Sequence, residues 1–335
     1  MTTDSIVTAL IGAGVRRASR QVPMSKHTSW RIGGPADYLC VVDDVTQLEA
    51  AVQVAGAHTL PWLVLGGGNN VLVSDQGVEG LVILNRLRGM AIEGEPAARA
   101  DDARPDSLRR AELACGAGVF FARAAQYSAH QGYRGMEWGI AIPGTVGGGV
   151  VNNAGAHCSD VSRALVSVDV LDQEGKRERL TPSDLAYRYR QSALKASCVT
   201  QSRLVVTACR FWVEADNPEA ALARVEELRQ HRLRTQPVKE ASAGSTFKNP
   251  PGEHAGALID RAGLKGHRVG GAQIALLHAN FILNTGRARA SDVVNLIRLV
   301  QSAIQTRFDI RLEPEIQFVG RWETNELQSI LEVAA

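Results

Sequence analysis

The sequence predicts a mixed α+β fold with more than one domain. Short apolar runs that read as strands alternate with amphipathic helices, without the regular βαβ spacing of a doubly wound sheet. The 335 residues, 45% hydrophobic and 21% charged, supply material for more than one core. Glycine is in surplus: 32 residues of 335, above the usual share of about 7%. With only 12 prolines and no G-X-Y period, those glycines belong in particular loops of a folded chain.

Taken in order, the first twenty residues form an amphipathic prelude. The spacing then predicts a helix from Val45 to His58 and a buried strand at Trp62 to Leu65. Gly66-Gly67-Gly68-Asn69-Asn70 makes a tight loop into a second strand, Val71 to Val73, followed by a turn at Asp75-Gln76-Gly77 and a third strand, Gly80 to Leu84. The polar stretch Glu93 to Arg110 has two prolines and no apolar period, and reads as a surface insertion. A strand at Ala111 to Ala114 leads through Gly116-Ala117-Gly118 into a helix from Val119 to His130. Gly139 to Gly155 reads as a second glycine-rich loop, with six glycines in GIAIPGTVGGGVVNNAG.

Ala164 to Leu171 and Arg177 to Leu180 alternate around Gln173-Glu174-Gly175 as a hairpin, and Arg203 to Val213 adds a strand. Asn217-Pro218 precedes a charged helix, Glu219 to Arg234, so a domain border is expected near residue 215. Beyond it the pattern predicts a helix near Ala255 to Leu264 and strands near Ile274 and Phe281. A helix from Asp292 to Phe308 with Ser291 as N-cap and a last strand from Leu312 to Val319 complete the chain.

Charge and cysteine content remove several functions. A net charge of +2 is far from that of a dedicated nucleic-acid binder, although a small anionic ligand needs only local charge. Cys40, Cys115, Cys158, Cys198 and Cys209 form no C-x-x-C pair, so buried reduced thiols are expected and no zinc site or other metal. The N-terminus carries no signal-peptide pattern, and no run approaches the roughly 18 apolar residues of a membrane span. A cytoplasmic location away from membranes is therefore expected.

The glycine loops call for a ligand or a packing reason. Gly12-x-Gly14 and Gly116-x-Gly118 both lack the third glycine of a dinucleotide fingerprint, and no P-loop pattern occurs. Consecutive backbone N–H groups without side chains can converge on a pyrophosphate. The plainer reading makes Gly66 to Gly68 a tight turn and lets Gly147 to Gly149 ease packing. The asparagine pairs that follow, Asn69-Asn70 and Asn152-Asn153, add groups able to bond a polar ligand and favour the first reading.

Seven ordered blocks carry a resemblance. They are RIGGPAD from Arg31 to Asp37, LGGGNNVLVSD from Leu65 to Asp75, IPGTVGGGVVNNAGA from Ile142 to Ala156, Tyr189-Arg190-Gln191-Ser192, GSTFKNP from Gly244 to Pro250, GGAQIALLHANFILN from Gly270 to Asn284 and LEPEIQFVG from Leu312 to Gly320. Together they resemble the UDP-N-acetylenolpyruvoylglucosamine reductase family, over about residues 25 to 320.

The resemblance implies an FAD-binding PCMH-type fold, similar to vanillyl-alcohol-oxidase flavoproteins, with two α+β subdomains plus a C-terminal α+β substrate domain. The expected division is an N-terminal segment 1–30, an FAD domain 31–215 with subdomains 31–90 and 111–215 and the insertion 93–110 between them, a substrate domain 219–320 and a tail 321–335. It further implies FAD bound by Gly66, Gly67, Gly68, Asn69, Asn70, Leu72, Ile142, Pro143, Gly144, Thr145, Gly147, Gly148, Asn152, Ala154 and Gly155. Leu65 to Asp75 has neither histidine nor cysteine, so the FAD is expected to be non-covalent.

The implied reaction is NADPH-dependent reduction of UDP-N-acetylglucosamine enolpyruvate to UDP-N-acetylmuramate in peptidoglycan precursor synthesis. Hydride passes from NADPH to the flavin, then from flavin N5 to C3 of the enolpyruvyl group, and a proton is delivered to C2. Ser245 matches the family's proton donor, Arg190 the partner of the substrate carboxylate, and Glu315 a group assisting charge stabilisation or proton delivery. Residue spacing alone does not choose between Arg188 and Arg190 or between Glu313 and Glu315; the family order does. Gln191 stands where relatives often have aspartate.

Asn249 and His278 match substrate-facing positions, with Lys248 or Arg234 as candidates for the UDP phosphates. The short stretch from Arg190 to Arg203 fits a subtype without an extra tyrosine-bearing loop. A monomer is expected. The rival readings are an oxygen-using FAD oxidase on the same scaffold and a non-catalytic nucleotide-binding protein.

Overall fold

The computed structural model describes residues 4–94, 110–197 and 204–331. Residues 17–85 contribute a four-stranded sheet in the order Arg17–Pro23, Pro35–Val42, Val78–Asn85, Trp62–Leu65. The helix Val45–Ala57 enters the fold through Asp44, whose carboxylate accepts from the Gln47 N–H at 2.8 Å.

The chain forms two compact units, neither of them continuous in sequence. The first comprises 1–18, 40–67 and 83–232, the second 19–39, 68–82 and 233–335. The border expected near residue 215 therefore falls after the helix Pro218–Thr235 has begun, because Ala221 and Val225 of that helix pack with Ala125, Ala129 and Ile140.

The first unit is organised by an antiparallel sheet in the order Arg177–Leu180, Leu165–Leu171, Val205–Ala215, Arg110–Gly116, Met90–Glu93, with Tyr133–Arg134 pairing the far end of the long strand. Alternation puts Leu113 and Cys115, Cys209, Phe211 and Val213 on one face, into a core shared with Phe121, Met136 and Trp138. Both ends of the expected insertion are strand residues, Glu93 paired with Glu112 and Arg110 with Glu214; its residues 95–109 lie outside the described residues.

Gly139 to Gly155 is not a loop. It folds as a 3-10 turn Glu137–Ala141, a helix Val146–Asn152 and a tight hairpin joining Gly155–Ala156 to Ser159–Asp160. Close packing explains the helix glycines. A Cβ on Gly147 would lie 2.8 Å from the Ala117 Cβ, and one on Gly149 only 2.2 Å from Phe121 Cε2.

The second unit gathers Trp30, Ile32 and Leu72 with the helices Ala255–Arg261 and Ala290–Phe308 around one apolar core. Trp30 Nε1 donates to the Ile282 carbonyl at 2.7 Å, and Asn284 Nδ2 returns to the Trp30 carbonyl at 2.8 Å. Val71–Val73 pairs in parallel with Gln317–Val319. The last strand is thus shorter than expected, since Pro314 has no N–H for a ladder and makes only an isolated bridge to Phe247.

Three further expectations change. Ser291 is not the N-cap but lies inside the helix Ala290–Phe308, and its N–H and that of Ala290 are accepted by the Asp75 carboxylate at 3.1 and 2.8 Å. Residues expected in a tail form a helix, Thr324–Leu331, with Ile330 buried in the core. Cys40, Cys115 and Cys209 are buried thiols, but Cys158 is exposed at the hairpin tip; Cys198 lies outside the described residues. Burial pushes the thiols of Cys40 and Cys115 up to about 12.

Candidate active site

In the second unit the GSTFKN segment is held by its main chain. The Thr246 N–H donates to the Asn280 carbonyl, the Lys248 N–H to the Glu313 carbonyl and the Glu315 N–H to the Thr246 carbonyl, each at 2.8 Å. These bonds set residues 246–248 antiparallel to 313–315, with Ser245 at the entrance to the pair.

The side chain of Asn280 completes the hold. Its Oδ1 accepts from the Phe247 N–H at 2.9 Å while its Nδ2 donates to the Phe247 carbonyl at 2.8 Å. Asn70 Nδ2 reaches the Glu315 carbonyl at 3.3 Å.

Ser245, Asn249 and His278 line a single cavity of about 310 Å³, together with His254, Asp260, Lys265, Leu277 and Asn280. Asn249 Oδ1 accepts from the Ala255 N–H at 3.0 Å, which ties its amide to the start of the helix Ala255–Arg261. His278 sits edge-on to Phe281, and burial lowers its pKa below the ordinary histidine value. It is therefore neutral at pH 7, and because its Nδ1 accepts from the Asn280 N–H at 3.3 Å, Nε2 carries the proton.

Lys248 does not line this cavity. Its ammonium pairs with Glu313, which separates Glu313 from Glu315 in role: the first is an exposed ion-pair partner, the second is tethered by its main chain beside Ser245. Arg234 is exposed near the end of its helix and does not line the cavity either. Lys265, which had no signal of its own in the sequence, is the ammonium on the cavity wall and pairs with Asp260 at 2.6 Å.

In the first unit Arg190 folds back on the glycine-rich helix. Its guanidinium donates to the carbonyls of Asn153 (3.1 Å) and Gly155 (3.3 Å), and lies over the Tyr189 ring at 5.0 Å. The neighbouring segment is anchored in the same place, Tyr187 Oη to the Val150 carbonyl and Ser192 Oγ to the Val151 carbonyl. Of these acceptors Val150 and Val151 belong to the last turn of the helix, and Asn153 and Gly155 to the segment that follows it. Asn153 closes the helix in the left-handed conformation, and its amide bonds both the Arg188 carbonyl and the Ser162 N–H. Arg188 is exposed, so Arg190 is the arginine held in this position.

Of the residues expected to hold FAD, Gly66 and Gly67 lie in the first unit with Ile142 to Gly155, and Gly68 to Leu72 lie in the second. Leu72 is fully buried in an apolar core, so only its main chain is available to a ligand. Pro143 and Gly148 are exposed, whereas Ile142, Gly144, Thr145 and Gly147 are buried.

The residues present fit a dinucleotide. A side chain on Gly66 would strike Thr145 Oγ1 at 2.2 Å, and Gly68, at φ +65°, leaves its Cβ position 2.2 Å from the His27 carbonyl oxygen. Both positions must be bare backbone. Arg86 Nη1 donates to the Gly66 carbonyl at 2.7 Å. Among the described residues Asn69 Oδ1 is buried without a hydrogen-bond partner, an acceptor that a hydroxyl or amino donor of the cofactor would satisfy.

The model of the FAD binding domain family matches residues 36–181, and that of the UDP-N-acetylenolpyruvoylglucosamine reductase C-terminal domain matches residues 236–319. The UDP-N-acetylenolpyruvoylglucosamine reductase 2 of Symbiobacterium thermophilum is 40% identical over 311 residues, covering 91% of this chain and 92% of its own. Reductase 1 of Bacillus cereus is 37% identical over 318 residues, covering 95% and 100%. The crystal structure of the UDP-N-acetylenolpyruvylglucosamine reductase (MurB) from Thermus caldophilus superimposes with a TM-score of 0.73 at 35% identity, over 90% of this chain and 99% of that one.

Proposed function

The chain belongs to the UDP-N-acetylenolpyruvoylglucosamine reductase family, and from that premise we propose that it reduces UDP-N-acetylglucosamine enolpyruvate to UDP-N-acetylmuramate with NADPH as hydride source, Ser245 as proton donor, and Arg190 and Glu315 as its charge-stabilising partners. The observation that carries this reading is the cavity in which Ser245, Asn249 and His278 meet, with the Glu315 main chain bonded to the residue next to Ser245. FAD, held by the domain that matches the FAD binding domain family over residues 36–181, would supply hydride transfer between NADPH and C3 of the enolpyruvyl group.

The chain's own residues handle the charge and the proton. Hydride addition at C3 places negative charge on C2 and the adjoining carboxylate. A serine hydroxyl is a weak acid and transfers its proton only when it is held within about 3 Å of that carbon in a fixed geometry. The bonds along 246–248 supply such fixity one residue from Ser245. Arg190 neutralises the growing carboxylate charge with its planar guanidinium, Glu315 assists charge stabilisation or proton delivery, and His278 offers its Nε2–H as a neutral donor to the bound nucleotide sugar. Both lysines are ion-paired, Lys265 with Asp260 and Lys248 with Glu313, but only Lys265 lines the cavity, where a diphosphate would have to take the place of Asp260 as its partner.

The decisive experiment follows the flavin band without oxygen. NADPH bleaches it and the enolpyruvyl nucleotide sugar restores it; a band that returns only with air would overturn the reading in favour of an oxidase. Ser245→Ala is expected to bleach at the normal rate and to slow the second step by about 100- to 10,000-fold, the usual contribution of a general acid. Equal slowing of both steps would remove Ser245 from the role of acid.

A further inference from the structure

We infer that Asn280 is a positioning residue for proton transfer, acting through Ser245. The inference deepens the reading of Ser245 as the acid and rests on it. Asn280 is almost fully buried, 3% exposed, and four of its polar groups are committed within the cavity wall. Its carbonyl accepts from the Thr246 N–H, its Oδ1 accepts from the Phe247 N–H, and its Nδ2 donates to the Phe247 carbonyl. Its own N–H meets His278 Nδ1.

One residue thus binds the main chain of the two residues that follow Ser245. A side-chain amide standing in for a strand's peptide group is an expensive way to hold a loop, because burying it costs free energy unless both donor and acceptor are used. Here both are used, on the same residue, two positions from the proposed acid. Main-chain bonds to Lys248 and Thr246 from residues 313–315 hold the far side of this segment. Asn280 holds the side nearest Phe247, and without it the Ser245 hydroxyl loses its fixed approach to the substrate.

Asn280→Asp tests this with little change of shape. The aspartate keeps the acceptor for the Phe247 N–H but places an oxygen against the Phe247 carbonyl. Normal reduction by NADPH is expected, together with a loss of about 10- to 100-fold in flavin re-oxidation by the enolpyruvyl substrate, the scale of effect of a sub-ångström to 1 Å misplacement. The defect relative to the unsubstituted enzyme shrinks as the pH is lowered, because a protonated aspartic acid restores the missing donor. In the Ser245→Ala background the same substitution adds less than about a twofold loss, since it acts through a group already removed.

An equal loss in both half-reactions, a pH-independent defect, or a full additional loss in the Ser245→Ala background would each overturn the inference. If Asn280→Asp does not fold and retain FAD, Asn280→Ser goes through the same two-step assay and the same double substitution, judged by the same outcomes without the pH arm. Failure of the unsubstituted enzyme's flavin to be re-oxidised by substrate would instead remove the functional reading itself, and this inference with it.

Discussion

At the scale of residues, Gly147, Gly148 and Gly149 show how identical letters carry different physics. Gly147 and Gly149 are pressed against Ala117 and Phe121, whereas the Cβ position on Gly148 meets only Thr145 Oγ1, at 3.6 Å. Gly149→Ala is therefore expected to lower stability by about 1–3 kcal/mol through overpacking. Gly148→Ala leaves stability unchanged or raises it by about 0.5–1 kcal/mol, the helix preference of alanine; thermal melts of the two variants check the contrast. The sequence names Gly147 and Gly148 as FAD-binding and offers packing as the alternative for all three, because composition records an absent side chain without recording its neighbours. Motif order singles out Ser245 and Asn249, which line one cavity, and Arg190, which lies in the first unit. Asn280 was not assigned, although a lone asparagine inside the apolar run of HANFIL is a signal that a buried amide needs partners.

Among the elements, the helix Ala290–Phe308 has its first turn completed from far away in the chain. The Asp75 carboxylate accepts from the N–H groups of Ala290 and Ser291, and Asp292 accepts from the N–H groups of Arg289 and Gly271. Two acidic groups at a helix N-terminus satisfy otherwise unpaired donors and oppose the positive end of the helix dipole. Asp75→Ala is expected to cost about 1–2 kcal/mol, as loss of a cap does, measured as a shift in the denaturation midpoint with an unchanged slope. The helix itself was readable from its apolar period, but its cap was not: local rules point to Ser291, and the bond that decides comes from a turn more than two hundred positions earlier. The same limit applies to the last strand, where Pro314 broke a run that alternation alone extended to Leu312. Short strands such as Trp62–Leu65 and the hairpin around residues 172–175 were readable because apolar runs and turn residues are local signals.

For the whole molecule, stability should depend on pH through the imidazole of His278. Burial holds the His278 pKa below the ordinary value of about 6.5 that it recovers on unfolding. The unfolded chain therefore binds the proton more readily, and this contribution to stability is complete above about pH 6.5 and lost as the pH falls through the folded-state value. The drop in melting temperature between pH 7.5 and 5.5 is expected to be smaller in His278→Gln than in the unsubstituted protein; an equal drop would assign the effect to other groups. The α+β class, the ordering of the elements and the FAD-binding domain were all legible, while the assembly of each unit from separate stretches was not, since no local pattern records which distant segments share a core. That assembly bears on how the protein is made. Val71–Val73 waits for Gln317–Val319, and Asn70 for Glu315, 245 positions later. During synthesis Trp30 and Leu72 thus leave the ribosome long before the helices that bury them. The second unit is a late, high-contact-order step, and the nascent chain must carry that apolar surface in water, or under a chaperone's cover, until translation is nearly finished.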